Sequence, residues 1–202
     1  MNSSQDDQRS DVVPAGRSAP ALQVLIWSGF VALAVAGRFF QPEWHFTPLA
    51  AVTLAAGFVF PSVLVAAAVP VAALAISNCF LAPHDSLAMA AVVYAATAWP
   101  VLLGACGLLG RCRQVRWPAV IGGSLASSLV FFFTTNAAHW WLTNQYPHSA
   151  SGLVECLAAG LPFYRWMPVG DLAWTVIVFG GLSLLAAPRP VPAGATATAR
   201  LD

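Results

Sequence analysis

No charged side chain occurs between Glu43 and Asp85, between Asp85 and Arg111, or between Arg116 and Glu155. A soluble domain carries about 25% charged residues. Here 8% of 202 residues are charged and 58% are hydrophobic, with a mean hydropathy of +0.71. Such a chain takes a bilayer as its solvent. A helix crosses the hydrocarbon core with about 20 largely apolar residues, which leaves room for roughly five to seven spans. The net charge of +1 excludes a nucleic-acid partner, because phosphate neutralisation requires a basic surface.

The apolar runs are separated by prolines and small polar clusters. They predict an all-α polytopic membrane domain over residues 21–187, flanked by disordered cytoplasmic tails at 1–20 and 188–202. The first helix runs from Leu22 to Phe40. Its Ala34-Val35-Ala36 resembles a signal-peptidase site, but the long preceding segment of mixed charge favours an uncleaved helix. The second helix extends from Pro48 to Phe60 and is broken by Pro61. The third covers Ser62–Phe80, with a kink expected at Pro70. The fourth covers Leu87–Leu109, interrupted at Trp99-Pro100. The fifth covers Pro118–Thr135, so that Asn136 ends it as Asn78 ends the third. A short interfacial or re-entrant piece is expected around Gly152–Leu161. The sixth helix runs from Pro168 to Ala187.

Arginine placement orients the six-helix reading. With the N-terminus inside, Arg9, Arg17, Arg111, Arg113, Arg116, Arg189 and Arg200 are cytoplasmic, against Arg38 and Arg165 outside. Both termini are therefore expected in the cytoplasm of a bacterial inner-membrane protein. The polar groups able to meet a ligand then gather at the outer face, most densely between Asn136 and Asp171.

Each polar residue has a structural and a functional reading. Asp171 suits a helix N-cap or a ligand contact inside the membrane. Arg38 suits an internal ion pair with Asp171 or Glu155, snorkelling to the interface, or a hold on an anionic group. Trp140, Trp141 and Tyr146 form an aromatic belt or a stacking surface for a flat ligand. Asn136 satisfies backbone groups or bonds a ligand amide. Four histidines (His45, His84, His139 and His148) lack HxxxH, HExxH or HxH spacing, so no metal or other cofactor is assigned. The four cysteines contain no CxxC pair. A bridge between Cys79 and Cys156 would require both at the outer face; otherwise each is a small hydrophobe.

The pattern of residues resembles a family of uncharacterised integral membrane proteins related to the S components of energy-coupling factor (ECF) transporters. The residues that carry the resemblance are Arg38, Phe46-Thr47-Pro48-Leu49-Ala50-Ala51, Thr135-Asn136, Trp141, Tyr146-Pro147, Gly152-Leu153, Cys156, Pro162-Phe163, Gly170-Asp171-Leu172 and Phe179-Gly180. It spans roughly residues 24–186. It implies six helices, capture of a small vitamin-like solute from outside, and docking on an ECF T subunit and ATPases. It also implies a small-residue docking face on the first helix, matched by Ser28, Ala32 and Ala36.

The resulting expectation is a non-enzymatic binding subunit. Trp140, Trp141 and Tyr146 would supply apolar surface. Arg38, Asn136, Glu155 and Asp171 would fix polar groups, with the loop around Tyr146–Leu153 as a lid. The alternatives are a structural or assembly protein with a closed outer face and an intramembrane hydrolase. The last is disfavoured by distance. Ser124 in Gly122-Gly123-Ser124-Leu125 and His139 would stand roughly 22 Å apart along one helix, at 1.5 Å per residue.

Overall fold

The computed structural model describes residues 20–43, 45–81, 84–111 and 114–186. The expectations for the two tails lie outside the described residues. Helices occupy nearly all of the rest: α1 (Pro20–Phe39), α2 (Leu49–Val59), α3 (Val63–Asn78), α4 (Leu87–Ala98), α5 (Pro100–Ala105), α6 (Trp117–Leu142), α7 (Ala150–Tyr164) and α8 (Met167–Ala186). A two-stranded antiparallel hairpin, β1 (Gly110–Arg111) with β2 (Gln114–Val115), joins α5 to α6.

Local chemistry sets the boundaries. The hydroxyls of Ser62, Ser86 and Ser149 accept from the backbone N–H groups of Val65, Met89 and Gly152, capping α3, α4 and α7. Each satisfies one donor that the first helical turn leaves open. Pro100 removes one backbone donor, but Trp99 keeps helical angles and its N–H still reaches the Ala95 carbonyl at 3.0 Å. α4 and α5 therefore follow one another as a single apolar run from Leu87 to Ala105. This run stops short of the expected Leu109, because Gly107 takes a left-handed φ of 76°.

Among the described residues, four helices are long and apolar enough to cross a membrane: α1, the α4–α5 run, α6 and α8. The expectation of six spans is thus met by four on length and composition. α2 and α3 have 11 and 16 residues. For α2 the reason is the prolines at 48 and 61, which leave it little more than three turns.

Instead, α2 is the centre of the bundle. Seven of its eleven residues are buried, and it touches α1, α3, α4, α5, α6 and α8. Its small side chains let backbones approach closely. A Cβ added at Gly57 would stand 2.1 Å from the Val101 carbonyl oxygen, and one at Gly104 would stand 2.3 Å from that of Leu54. α2 and α5 are therefore in backbone contact. Around this seam Val52, Leu54, Val69, Val101, Val120 and Phe179 form the core.

The lateral pairs fix direction. Trp27 donates to the Val65 carbonyl near the starts of α1 and α3, and Arg38 reaches Ser77 and Asn78 near their ends, so these two helices run parallel. α6 and α8 run antiparallel, since Ser128 meets Asp171 and Ser124 meets Thr175. The Cys79–Cys156 bridge that the sequence leaves open is not formed. Both are free thiols, Cys156 against the Asn136 carbonyl and Cys79 against that of Ala75.

Candidate functional site

Four segments converge where α6 and α8 meet. α6 presents Ser124, Ser127, Ser128, Phe131 and Thr135 along one stripe, at the three- and four-residue spacing that keeps side chains on one helical face. α8 answers with Met167, Asp171 and Thr175. The Ser128 hydroxyl donates to Asp171 Oδ2 at 2.6 Å, and the Thr175 hydroxyl donates to Ser124 Oγ at 3.0 Å. Asp171 is 4% exposed, and Ser124 and Thr175 are fully buried. Asp171 lies one turn inside α8, so it does not cap that helix.

The Asp171 carboxyl borders a small cavity of about 60 Å³. Thr47 and Ala50 wall it from the start of α2, Ala96, Thr97 and Pro100 from the α4–α5 junction, and Ser127 and Phe131 from α6. A second cavity of about 230 Å³ adjoins it nearer the end of the bundle, lined by Met89, Phe132, Thr135, Asn136, His139, Gly160, Phe163 and Tyr164. His45, Phe131 and Met167 are walls of both. The result is a two-chambered cleft, with aromatics and methionine in the outer chamber and a carboxyl among hydroxyls in the inner one.

His45 sits at the junction with an unusual backbone. Its φ is +64°, and it is the one non-glycine residue with positive φ among the described residues. The left-handed region costs an L-residue roughly 1–2 kcal/mol, and such outliers cluster at ligand sites. The turn is held by Phe46 N–H to the Glu43 carbonyl and by His45 N–H to Gln41 Oε1. His45 keeps part of its surface open, but burial of the imidazole and, secondarily, the positive charge of Arg38 hold it below the ordinary histidine range.

Of the residues expected at the site, the structure brings Asn136 and Asp171 to this cleft. α6 continues past Thr135 to Leu142, because no glycine or proline interrupts Asn136–Leu142. Asn136 is thus inside the helix, with its amide donating to the Phe132 carbonyl at 2.8 Å. The same extension carries Trp140 and Trp141 beyond the cleft. Trp140 donates to the Pro147 carbonyl at 2.8 Å, and Trp141, 65% exposed, stacks on His148. Tyr146 lines a separate open depression formed by residues 144–148. Glu155 is exposed on α7. Part of the expected lid, from Ala150 onward, is the start of α7, and it is the far end of α7, at Gly160, Phe163 and Tyr164, that borders the outer chamber.

The expected ion pair of Arg38 with Asp171 or Glu155 is not formed. The guanidinium donates to Ser77 Oγ and, at 2.9 Å, to Asn78 Oδ1. Asn78 in turn reaches His84 and the Tyr94 hydroxyl. Arg38 belongs to a neutral polar network between α1, α3 and α4.

Thr97, Ser127 and Ser128 are not singled out by the sequence, and Thr47 and Thr135 enter it only through the resemblance, with no role at a site. A signal was there for three of them in the helical spacing of Ser127, Ser128 and Thr135 with Ser124. Among the described residues no group of three or more His, Cys, Asp or Glu side chains is arranged to hold a metal ion.

No curated protein and no solved structure matches the chain. A family model does, over residues 18–193. The match takes in every described helix, and the chain belongs to that family of unknown function, DUF6580.

Proposed function

We propose that this chain is a solute-binding membrane protein that takes a small, vitamin-like molecule into the two-chambered cleft. The observation that carries the reading is the Asp171 carboxyl, buried yet bordering a cavity that adjoins a larger apolar one. A carboxyl kept at membrane depth is costly and tends to be functional. A mostly apolar pocket with a few convergent polar groups is the usual form of a small-molecule site.

The resemblance to ECF S components supports the same role, as does the arginine bias that sets the cleft on the outer side of a bacterial inner membrane with both termini inside. On this reading an ECF T subunit and ATPases complete the transporter, and energy comes from those partners. A structural or assembly role is the competing reading, and it has no need of the cleft.

The test is thermal unfolding of the purified chain against a panel of vitamins and nucleobases. A ligand that binds only the native state raises the melting temperature by mass action. A rise for one class, lost when Tyr164 or Asn136 in the outer chamber is replaced by a bulky or apolar residue, supports solute binding. A flat response across the panel from cooperatively unfolding protein, repeated with partner subunits present, moves the assignment to a structural role.

A further inference from the structure

Resting on the solute-binding reading, we propose that the inner chamber is a cation site, and that the solute is an organic molecule with a compact cationic group and an apolar body.

A hydroxyl has one proton to give and two lone pairs to receive with. Thr97 gives its proton to the Val93 carbonyl at 2.7 Å, and Ser127 gives its proton to that of Gly123 at 2.7 Å. Ser128 gives its own to Asp171 Oδ2 at 2.6 Å, with the Ser124 carbonyl a longer second acceptor at 3.3 Å. In the outer chamber, Thr135 donates to the Phe131 carbonyl at 2.8 Å and the Asn136 amide donates to that of Phe132 at 2.8 Å. Each of these hydroxyls is left with lone pairs and no proton to offer, and the Asn136 carboxamide keeps one N–H beside its oxygen. The inner chamber therefore presents the Thr97 and Ser127 oxygens as acceptors beside the Asp171 carboxyl, and it suits a ligand that brings donors.

Charge points the same way. No ion pair to Asp171 forms among the described residues, and the guanidinium of Arg38 is spent on Ser77 and Asn78. Three buried indole N–H groups lack acceptors, those of Trp99, Trp166 and Trp174, but none of these residues lines either chamber. A buried carboxyl without a counter-charge takes up a proton or is completed by a cation from outside, and the cation brings charge-assisted hydrogen bonds about twice as strong as neutral ones.

Size separates an organic cation from a bare ion. One water-sized group needs roughly 10–15 Å³ of such volume, so about 60 Å³ takes an ammonium, a methylated ammonium or an amidinium with little to spare. The aromatic walls of the adjoining chamber, Phe131, Phe132, Phe163 and Tyr164, receive an apolar body and favour a cation at their ring faces.

The experiment uses the full chain in lipid nanodiscs at constant ionic strength. Melting temperature and affinity are measured with benzylamine, phenethylamine and benzyltrimethylammonium, and with benzyl alcohol, benzoate and sodium chloride. The amines are expected to stabilise the protein. Asp171→Asn, which keeps the shape of the side chain, is expected to weaken amine binding roughly tenfold or more. Should that variant not fold, Thr97→Val and Ser127→Val remove inner-chamber acceptors while keeping the carboxyl, and each is expected to weaken the amines several-fold while leaving benzyl alcohol unchanged. Equal binding of alcohol and amine, or amine binding untouched by these variants, overturns the cation assignment and leaves a solute site standing. Stabilisation by sodium without the amines overturns the organic cation. No response to any amine also overturns it, and the vitamin panel then decides separately whether the chain binds a solute at all.

Discussion

The bundle is closed along two seams by opposite means. Between α2 and α5, glycines let one backbone lie on another, with Gly57 against Val101 and Gly104 against Leu54. Between α6 and α8, hydroxyls and a carboxyl meet by hydrogen bonds, and space is left beside them. Both seams are buried, and both would hold two helices together. The first uses van der Waals contact, which works at full strength in a lipid solvent. The second keeps a carboxyl dry beside a cavity, a costly way to join helices when apolar residues of similar volume would serve. That difference marks the first seam as structure and the second as the candidate site.

The comparison is tested most severely at the dense seam. Gly57→Val puts side-chain carbons where the Val101 carbonyl already stands. Ordinary overpacking costs about 1–3 kcal/mol because side chains can yield. Here the obstacle is backbone, so the cost should exceed about 4 kcal/mol. The expected outcome is loss of a monodisperse, cooperatively melting protein on size exclusion and thermal unfolding. A Gly57→Val protein that melts like the parent would mean that α2 and α5 slide freely, and the seam would lose its structural rank.

Ser128→Ala comes next. It removes the donor at 2.6 Å from Asp171 and leaves a buried carboxyl oxygen without its partner. Losing a partner of this kind costs about 1–3 kcal/mol. Chemical unfolding should show a midpoint shift of that size without a change in slope. A neutral result would show that the carboxyl is already served from the cavity, and would make the seam more open than its burial suggests.

How much of this was legible beforehand follows the same division. The helices were readable from prolines, serine caps and charge-free runs, because those features act within a few residues. Asp171 and Asn136 stood out as polar groups in apolar surroundings, and both border the cleft. Trp140, Trp141 and Tyr146 were expected there on the assumption that α6 ends at Thr135. Its two further turns carry the tryptophans past the cleft. The partners of Arg38 were not readable, since Ser77 and Asn78 reach it only through the parallel packing of α1 on α3. The hydroxyls were overlooked for another reason. Serine and threonine in an apolar helix are common as small packing residues, and only the facing helix decides which of them turns inward to meet a carboxyl.

Thr175→Val separates the carboxyl from the plain hydroxyl pair in the seam. It keeps the volume and removes a neutral bond to Ser124 of 3.0 Å. The net worth of such a bond is about 1 kcal/mol, so the loss should be smaller than for Ser128→Ala in the same assay. A larger loss would shift the weight of the seam from Asp171 to the Ser124–Thr175 pair, away from the cavity.

The smallest effect expected is in the pH dependence. The helices of the dense seam, α2 and α5, carry no titratable side chain, whereas His45 is a wall of both chambers. Its imidazole is held below the ordinary range by burial first and by the charge of Arg38 second. The unfolded chain therefore takes up this proton at a higher pH than the folded one, and stability rises with pH wherever the unfolded state binds more protons. The contribution of His45 should be flat above about pH 6.5, the unperturbed histidine value. It should fall as pH drops below that, and level off once the folded imidazole is protonated too. Unfolding midpoints of wild type and His45→Gln, compared across this range, isolate the term, because glutamine keeps the left-handed backbone under similar strain. A difference that narrows against wild type below pH 6.5 fits an imidazole enclosed by the chambers. A difference that stays constant would place the imidazole in open water, and the cleft would then be shallower than its walls imply.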